Sequence, residues 1–166
     1  MLETLFPRAA DNRYPGRRPG LWLFALMLLK IGMGLNVMLN APTVARSADG
    51  VAVNTFAPPA AAAFSFVFAA WGLGQLVLGL ACLVVFLRYR SLVPLAFLAL
   101  LIEQLGRMLL RFYWPVERIA AAPGTAINIA LAAIMVAGFG ISVWRPRAVA
   151  GGPNNSPKPT PLRGAA

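Results

Sequence analysis

Four long apolar runs, at 20–39, 60–87, 92–112 and 125–144, carry most of the chain, and the polar residues gather mainly between them. Each holds roughly 20 or more residues, which at about 1.5 Å per residue crosses a hydrocarbon layer about 30 Å thick. Apolar positions occupy every side of each predicted helix, where a surface helix would show one stripe. Four buried helices in a soluble protein would need a polar cover, and little polar sequence remains to make one. The pattern predicts an all-α fold, a four-transmembrane-helix antiparallel bundle, in which every backbone polar group is satisfied within its own helix.

The punctuation fits these limits. Pro19, Pro59 and the segment from Ser91 to Pro94 stand where helix starts tolerate proline or want a cap. Asn40-Ala41-Pro42 ends the first helix and Trp114-Pro115 the third, while Pro123-Gly124-Thr125 resets the chain with Thr125 as N-cap. Arg88-Tyr89-Arg90-Ser91 is short enough to make the second and third helices an antiparallel hairpin. The segment 41–58 is the largest non-helical feature expected inside the bundle, between a basic flank at 1–19 and a Pro/Gly/Asn-rich, disordered tail at 145–166. Glycine pairs Gly32/Gly34, Gly72/Gly74 and Gly138/Gly140 point to close helix packing, with Ala70/Gly74 and Gly138/Ser142 at four-residue spacing. None follows a strand, which excludes a dinucleotide-binding loop. A signal-peptide reading of the first run fits poorly with its length and with Lys30 at its middle.

Composition narrows the chemistry. Of 166 residues 59% are hydrophobic and 12% charged, the latter about half the soluble average. With Cys82 as the single cysteine and no histidine, a disulfide scaffold, a Cys/His zinc site, haem imidazole ligation and Ser-His-Asp catalysis are excluded. No cofactor or metal is expected, and the reading leans away from an enzyme. The net charge of +10 would suggest nucleic acid in a soluble protein, but its placement says otherwise. Arg8, Arg13, Arg17, Arg18, Arg88, Arg90, Arg145, Arg147, Lys158 and Arg163 flank one set of helix ends; Arg46 and Arg118, with Asp49 and Glu117, flank the other. That asymmetry predicts a multi-pass protein of the cell inner (plasma) membrane with both termini cytoplasmic. Trp22, Tyr89 and Trp144 fall at one predicted interface, Tyr113 and Trp114 at the other. The expected partners are the lipid bilayer and either a membrane-protein partner or further copies of the chain, without nucleic acid.

Three strongly polar residues stand near mid-helix: Lys30, Gln75 and Glu103. At about 15 Å from either interface they are too deep to snorkel, and an unpaired charge there costs at least about 2.5–3.5 kcal/mol. Lys30 and Glu103 are the obvious pair, with Gln75 completing their hydrogen bonds. Arg107 and Arg111 follow Glu103 at successive four-residue steps on one helix face, bordered by Gln104. Asn36, Trp71 and Asn128 fall at the depth of Arg107, so the four helices can line a polar, net-positive pocket facing the periplasm. Two readings of this cluster stay open: buried polar glue between helices, or ligand handling. The corresponding functions are a binding or accessory component for a small anionic or quinone-like ligand, and a structural subunit of a larger membrane complex. A third is a small proton-coupled transporter, a dimer with Glu103 as carrier.

The sequence between 20 and 144 resembles a known group. A first helix ending Gly32-Met33-Gly34-Leu35-Asn36 leads to GLGQLVLGLACL, a short basic RYRS turn, LALLIEQLGRMLLRF and a fourth apolar helix. This is similar to the small four-helix bacterial membrane proteins of the DoxX-like group, including its domain-of-unknown-function relatives. The resemblance implies an inner-membrane bundle, linked in some relatives to quinone or thiol redox chemistry. Gly106-Arg107 is its most distinctive element, and it singles out Arg107 as a site residue. This chain departs from the redox members in having no histidine and one cysteine, so it carries no redox pair of its own.

Overall fold

The computed structural model describes residues 2–115, 118 and 123–144. The tail 145–166 and Glu117, to which the sequence reading assigned disorder or charge, lie outside the described residues. The described chain forms helices α1 (Leu2–Leu5), α2 (Arg18–Met27), α3 (Leu29–Leu39), α4 (Ala41–Ser47), α5 (Pro58–Arg88), α6 (Val93–Tyr113) and α7 (Pro123–Val143), with 3₁₀ turns at Val53–Thr55 and Arg90–Leu92. It is an all-α bundle with four segments long and apolar enough to cross a membrane: Arg18–Leu39, Pro58–Arg88, Arg90–Tyr113 and Pro123–Val143. The chain is therefore a multi-pass membrane protein.

Three local features differ from the sequence expectation. The first span is two helices rather than one: Leu28 N–H bonds Ala25 O at 3.1 Å and Ile31 N–H bonds Leu28 O at 3.0 Å. These three-residue bonds tighten the chain from Ala25 to Ile31, a stretch that includes Lys30. Second, 41–58 is not an open loop, because Pro42 sits in the first turn of α4, a position that needs no proline N–H. Gly50, at φ 72°, then reverses the chain so that Val51 N–H reaches Ala45 O at 3.0 Å. Ala45, Val51 and Val53 pack as a small core against Ala61, Phe64 and Phe68 of α5. Third, α7 already begins at Pro123, so Thr125 lies inside the first turn; its hydroxyl accepts from Arg118 Nη1 at 2.7 Å.

α5 pairs most extensively with α3, and α7 packs on both α2 and α6, whereas α5 and α6 meet less closely despite the short turn that joins them. The α3–α5 crossing depends on glycine. A Cβ on Gly34 would lie 2.6 Å from Leu76 N, and one on Gly72 would lie 2.5 Å from Met38 N. Backbone therefore meets backbone, the close approach that small residues permit in lipid. Gly32, Gly74 and Gly140, the other members of each pair, face open space, and so does Gly106. Phe24, Met27, Cys82, Phe97, Leu100 and Met135 fill the core nearer the termini. There Phe24 meets the Phe97 ring edge-to-face at 5.1 Å, and Gly138 leaves room for that ring.

The segment before α2, expected only as a basic flank, is tied to the bundle. Asp11 N–H donates to Ser91 Oγ at 3.0 Å, and that hydroxyl donates to Asp11 O at 2.9 Å. Tyr14 and Ser142 share a 2.6 Å hydrogen bond, and Arg17 lies 5.3 Å over the Trp144 ring, so both ends of the described bundle meet at one face. Burial pushes the Tyr14 hydroxyl pKa up, opposed by its bond to Ser142.

Candidate functional site

The inner face of α3 is set by Lys30, Gly34 and Val37, and that of α5 by Gly72, Gln75, Gly79 and Cys82. Both patterns follow helical spacing, so Lys30 and Gln75 are turned towards α6. Lys30, 1% exposed, donates to Glu103 Oε2 at 2.9 Å. Gln75 Nε2 donates to Glu103 Oε1, and Arg107 Nε donates to the same oxygen at 2.6 Å. One carboxylate thus gathers donors from α3, α5 and its own helix, the arrangement that a charge needs in a low-dielectric interior.

Arg107 forms the next layer. Its Nη2 donates to Gln104 Oε1 at 2.5 Å and reaches Asn128 Oδ1 at 3.4 Å. Gln104, fully buried, donates in turn to the Asn128 side chain and backbone at 3.0 and 3.1 Å. Asn128 Nδ2 completes the chain by donating to Gly124 O at 2.7 Å. The guanidinium carbon also lies 4.8 Å over the Trp71 ring, within cation–π range. The Trp71 indole N–H is buried with no hydrogen-bond partner among the described residues.

The outer layer is looser. Arg111 Nη2 stands 3.6 Å from Asp49 Oδ1, and Arg118 is held only at the Thr125 hydroxyl among its described partners. Between these layers lies a cavity of about 770 Å³, walled by Phe64, Phe68 and Trp71 of α5, by α6 and by α7, with Arg107, Arg111 and Arg118 along it. A second space of about 80 Å³ shares Arg107, Trp71, Asn128 and Asp49 with the first and continues to Lys30 and Gln75. Among the described residues, Lys30, Arg107, Arg111 and Arg118 and the carboxylates Glu103 and Asp49 supply the site's formal charges.

Of the residues singled out from sequence, the structure brings together Lys30, Gln75, Glu103, Gln104, Arg107, Trp71 and Asn128, with Arg111 at the rim. Asn36 does not join them: it is exposed and accepts from Asn40 Nδ2 at 2.9 Å. Depth placed Asn36 correctly along the bundle, but α3 turns it away from the interior. Asp49 and Arg118 were read only as loop charges; the signal was their location on the same side as Arg111 in a chain with five acidic residues. Among the described residues, no three His, Cys, Asp or Glu side chains gather where they could hold a metal ion.

Fold and site together define a four-span membrane protein with an ion-paired core layer and a cationic, largely apolar cavity above it. No protein-family model, curated protein or solved structure matches the chain. The functional reading therefore rests on this geometry.

Proposed function

We propose that the protein is a binding or accessory component of the bacterial inner membrane, related to the DoxX-like group, whose cavity takes a small anionic or quinone-like ligand. The observation that carries this reading is the about 770 Å³ cavity in which apolar walls converge on Arg107 stacked against Trp71. Its size falls in the range of small-molecule sites, and so does its makeup of apolar lining with a few converging polar groups. In the accompanying orientation both termini are cytoplasmic and the cavity faces the periplasmic half of the bilayer, a placement that the distribution of basic flanks supports.

Glu103 is the fixed counter-ion of the site. It already accepts from Lys30, Gln75 and Arg107, so exchanging a proton would mean breaking that layer, which argues against a carrier role. A purely structural subunit needs the ion-paired layer but has no use for a cavity above it.

Thermal unfolding of the purified protein in dodecyl maltoside, with a panel of lipids, quinones and inorganic anions, tests the reading. A ligand at a hundred times its Kd stabilises by about 2.7 kcal/mol, a rise in Tm of about 5–10 °C for a chain of this size. The rise shrinks in Arg107→Gln. A panel that leaves the melting point unmoved sinks the proposal.

A further inference from the structure

Resting on that binding reading, we propose that the cavity's occupant is an acidic membrane lipid that enters sideways from the bilayer. Its phosphate or carboxylate head lies between Arg107, Arg111 and Arg118, and Asp49 serves as the internal counter-ion that the head displaces.

The direction of entry follows from the walls. Val67 of α5, Leu110 and Phe112 of α6 and Ile129 of α7 line the cavity and are 65%, 57%, 83% and 55% exposed, so the bundle leaves much of each uncovered. Side chains that face both the cavity and the hydrocarbon form a mouth through which an acyl chain passes without leaving an apolar environment. α5 and α6 meet far less than α3 and α5 do, and both contribute to the cavity wall. A free inorganic anion gains nothing from such walls, and a neutral lipid gains nothing from three guanidinium groups. Arginine forks suit phosphate and carboxylate heads because they donate two parallel charge-assisted hydrogen bonds.

The place of the head follows from a gradient in pairing. At the floor, Glu103 is held at 2.9 Å by Lys30 and at 2.6 Å by Arg107 Nε, a pairing that a competing anion would have to break; Arg107 Nη1 takes no part in it. At the rim, Asp49 stands at 3.6 Å from Arg111, beyond ordinary hydrogen-bond length. Asp49 comes from the turn at Gly50 rather than from a spanning helix, so it can yield without unpacking the bundle.

The test uses full-length protein in dodecyl maltoside and reads the probe concentration that gives half the maximal rise in Tm. The probes are lysophosphatidic acid, lysophosphatidylcholine of the same chain length, inorganic phosphate and a short-chain ubiquinone. Lysophosphatidic acid is expected to act at a concentration about tenfold below lysophosphatidylcholine, the difference that one charge-assisted head contact supplies, with phosphate and quinone inert. Asp49→Asn lowers the lysophosphatidic acid concentration by about threefold or more, because the internal competitor is gone. Arg111→Gln raises it by about tenfold. If Arg111→Gln does not fold, the wild-type and Asp49→Asn measurements decide alone.

Equal responses to the two lysolipids, a response to phosphate as large as that to lysophosphatidic acid, or a response to quinone alone would each overturn the acidic-lipid assignment while leaving a binding pocket standing. Weaker lysophosphatidic acid binding in Asp49→Asn would overturn the displacement step. Silence from all four probes would remove both the assignment and the binding reading beneath it.

Discussion

The pairing of Lys30 with Glu103 makes an asymmetric prediction. Glu103→Gln removes the carboxylate that holds Lys30 at 2.9 Å and Arg107 at 2.6 Å. Arg107 keeps Gln104, Asn128 and the Trp71 face, but among the described residues Lys30 has no other ion-pair partner. With Lys30 at 1% exposure, this strands a buried ammonium, at a cost of about 3–5 kcal/mol. Lys30→Met removes the opposite charge but leaves Glu103 with Gln75 and Arg107, so the loss is one charged hydrogen bond, about 1.5–3 kcal/mol. The double variant has no stranded ammonium and is expected to be more stable than Glu103→Gln alone. The coupling is then about 2–3 kcal/mol, at the upper end of what contacting residues show. It also exceeds the average of about 0.6 kcal/mol for neutral hydrogen bonds between membrane helices. Reversible unfolding of the four proteins in dodecyl maltoside with rising sodium dodecyl sulfate, followed by circular dichroism, measures all the terms. Single losses that add to within about 0.5 kcal/mol, or a Lys30→Met variant weaker than Glu103→Gln, would refute the reasoning.

Gly72→Ala is expected to cost about 1–3 kcal/mol in the same assay, because its Cβ would lie 2.5 Å from Met38 N. Gly74→Ala, two residues on and facing open space, is expected to be neutral or to stabilise by about 0.5–1 kcal/mol. Tyr14→Phe removes the bond to Ser142 and costs about 1 kcal/mol at neutral pH. It also removes a pH dependence: burial raises the Tyr14 pKa in the folded state, so its stabilising effect is whole below about pH 10 and is lost as pH rises through the raised value. Melting curves between pH 8 and 11 should therefore fall more steeply for the wild type than for Tyr14→Phe. Ser91→Ala frees the Asp11 N–H and leaves Asp11 O with only the Ser91 backbone N–H at 3.2 Å, so limited trypsin digestion after Arg13 is expected to speed up several-fold while Tm falls by only a few degrees.

How much of this was legible in the sequence depends on what each feature needs. The four spans needed only run length and the all-round apolar pattern, and structure and sequence place them within two residues of one another at each end. The break at Leu28 had no such signal, since neither proline nor glycine stands there. The glycine pairs advertised close packing, but spacing could not say that Gly34 and Gly72 face a neighbour while Gly32 and Gly74 do not. That choice belongs to helix rotation, which only the assembled bundle fixes. Asn36 failed for the same reason. Six residues beyond Lys30 amounts to about 600° of turn, which leaves Asn36 about 120° round α3 from the face that carries Lys30.

Rotation also accounts for the part of the site that was legible. Each four-residue step along an α-helix leaves the next side chain about 40° round from the last, so Glu103, Arg107 and Arg111 trace a slow spiral rather than a straight row. The spiral carries Glu103 to Lys30 and Gln75, Arg107 to Trp71 and Asn128, and Arg111 to the turn that bears Asp49. Pairing weakens along the same path, from three donors on one carboxylate to a single contact at 3.6 Å. A helix with four-residue polar spacing can thus anchor a bundle at one end of its stripe and leave charge unspent at the other. Glue and ligand handling, set against each other as alternatives for the whole cluster, make different demands that successive turns of the same helix meet: the Glu103 layer has the close pairing that the first requires, and the Arg107–Arg111 layer has the open cavity that the second requires.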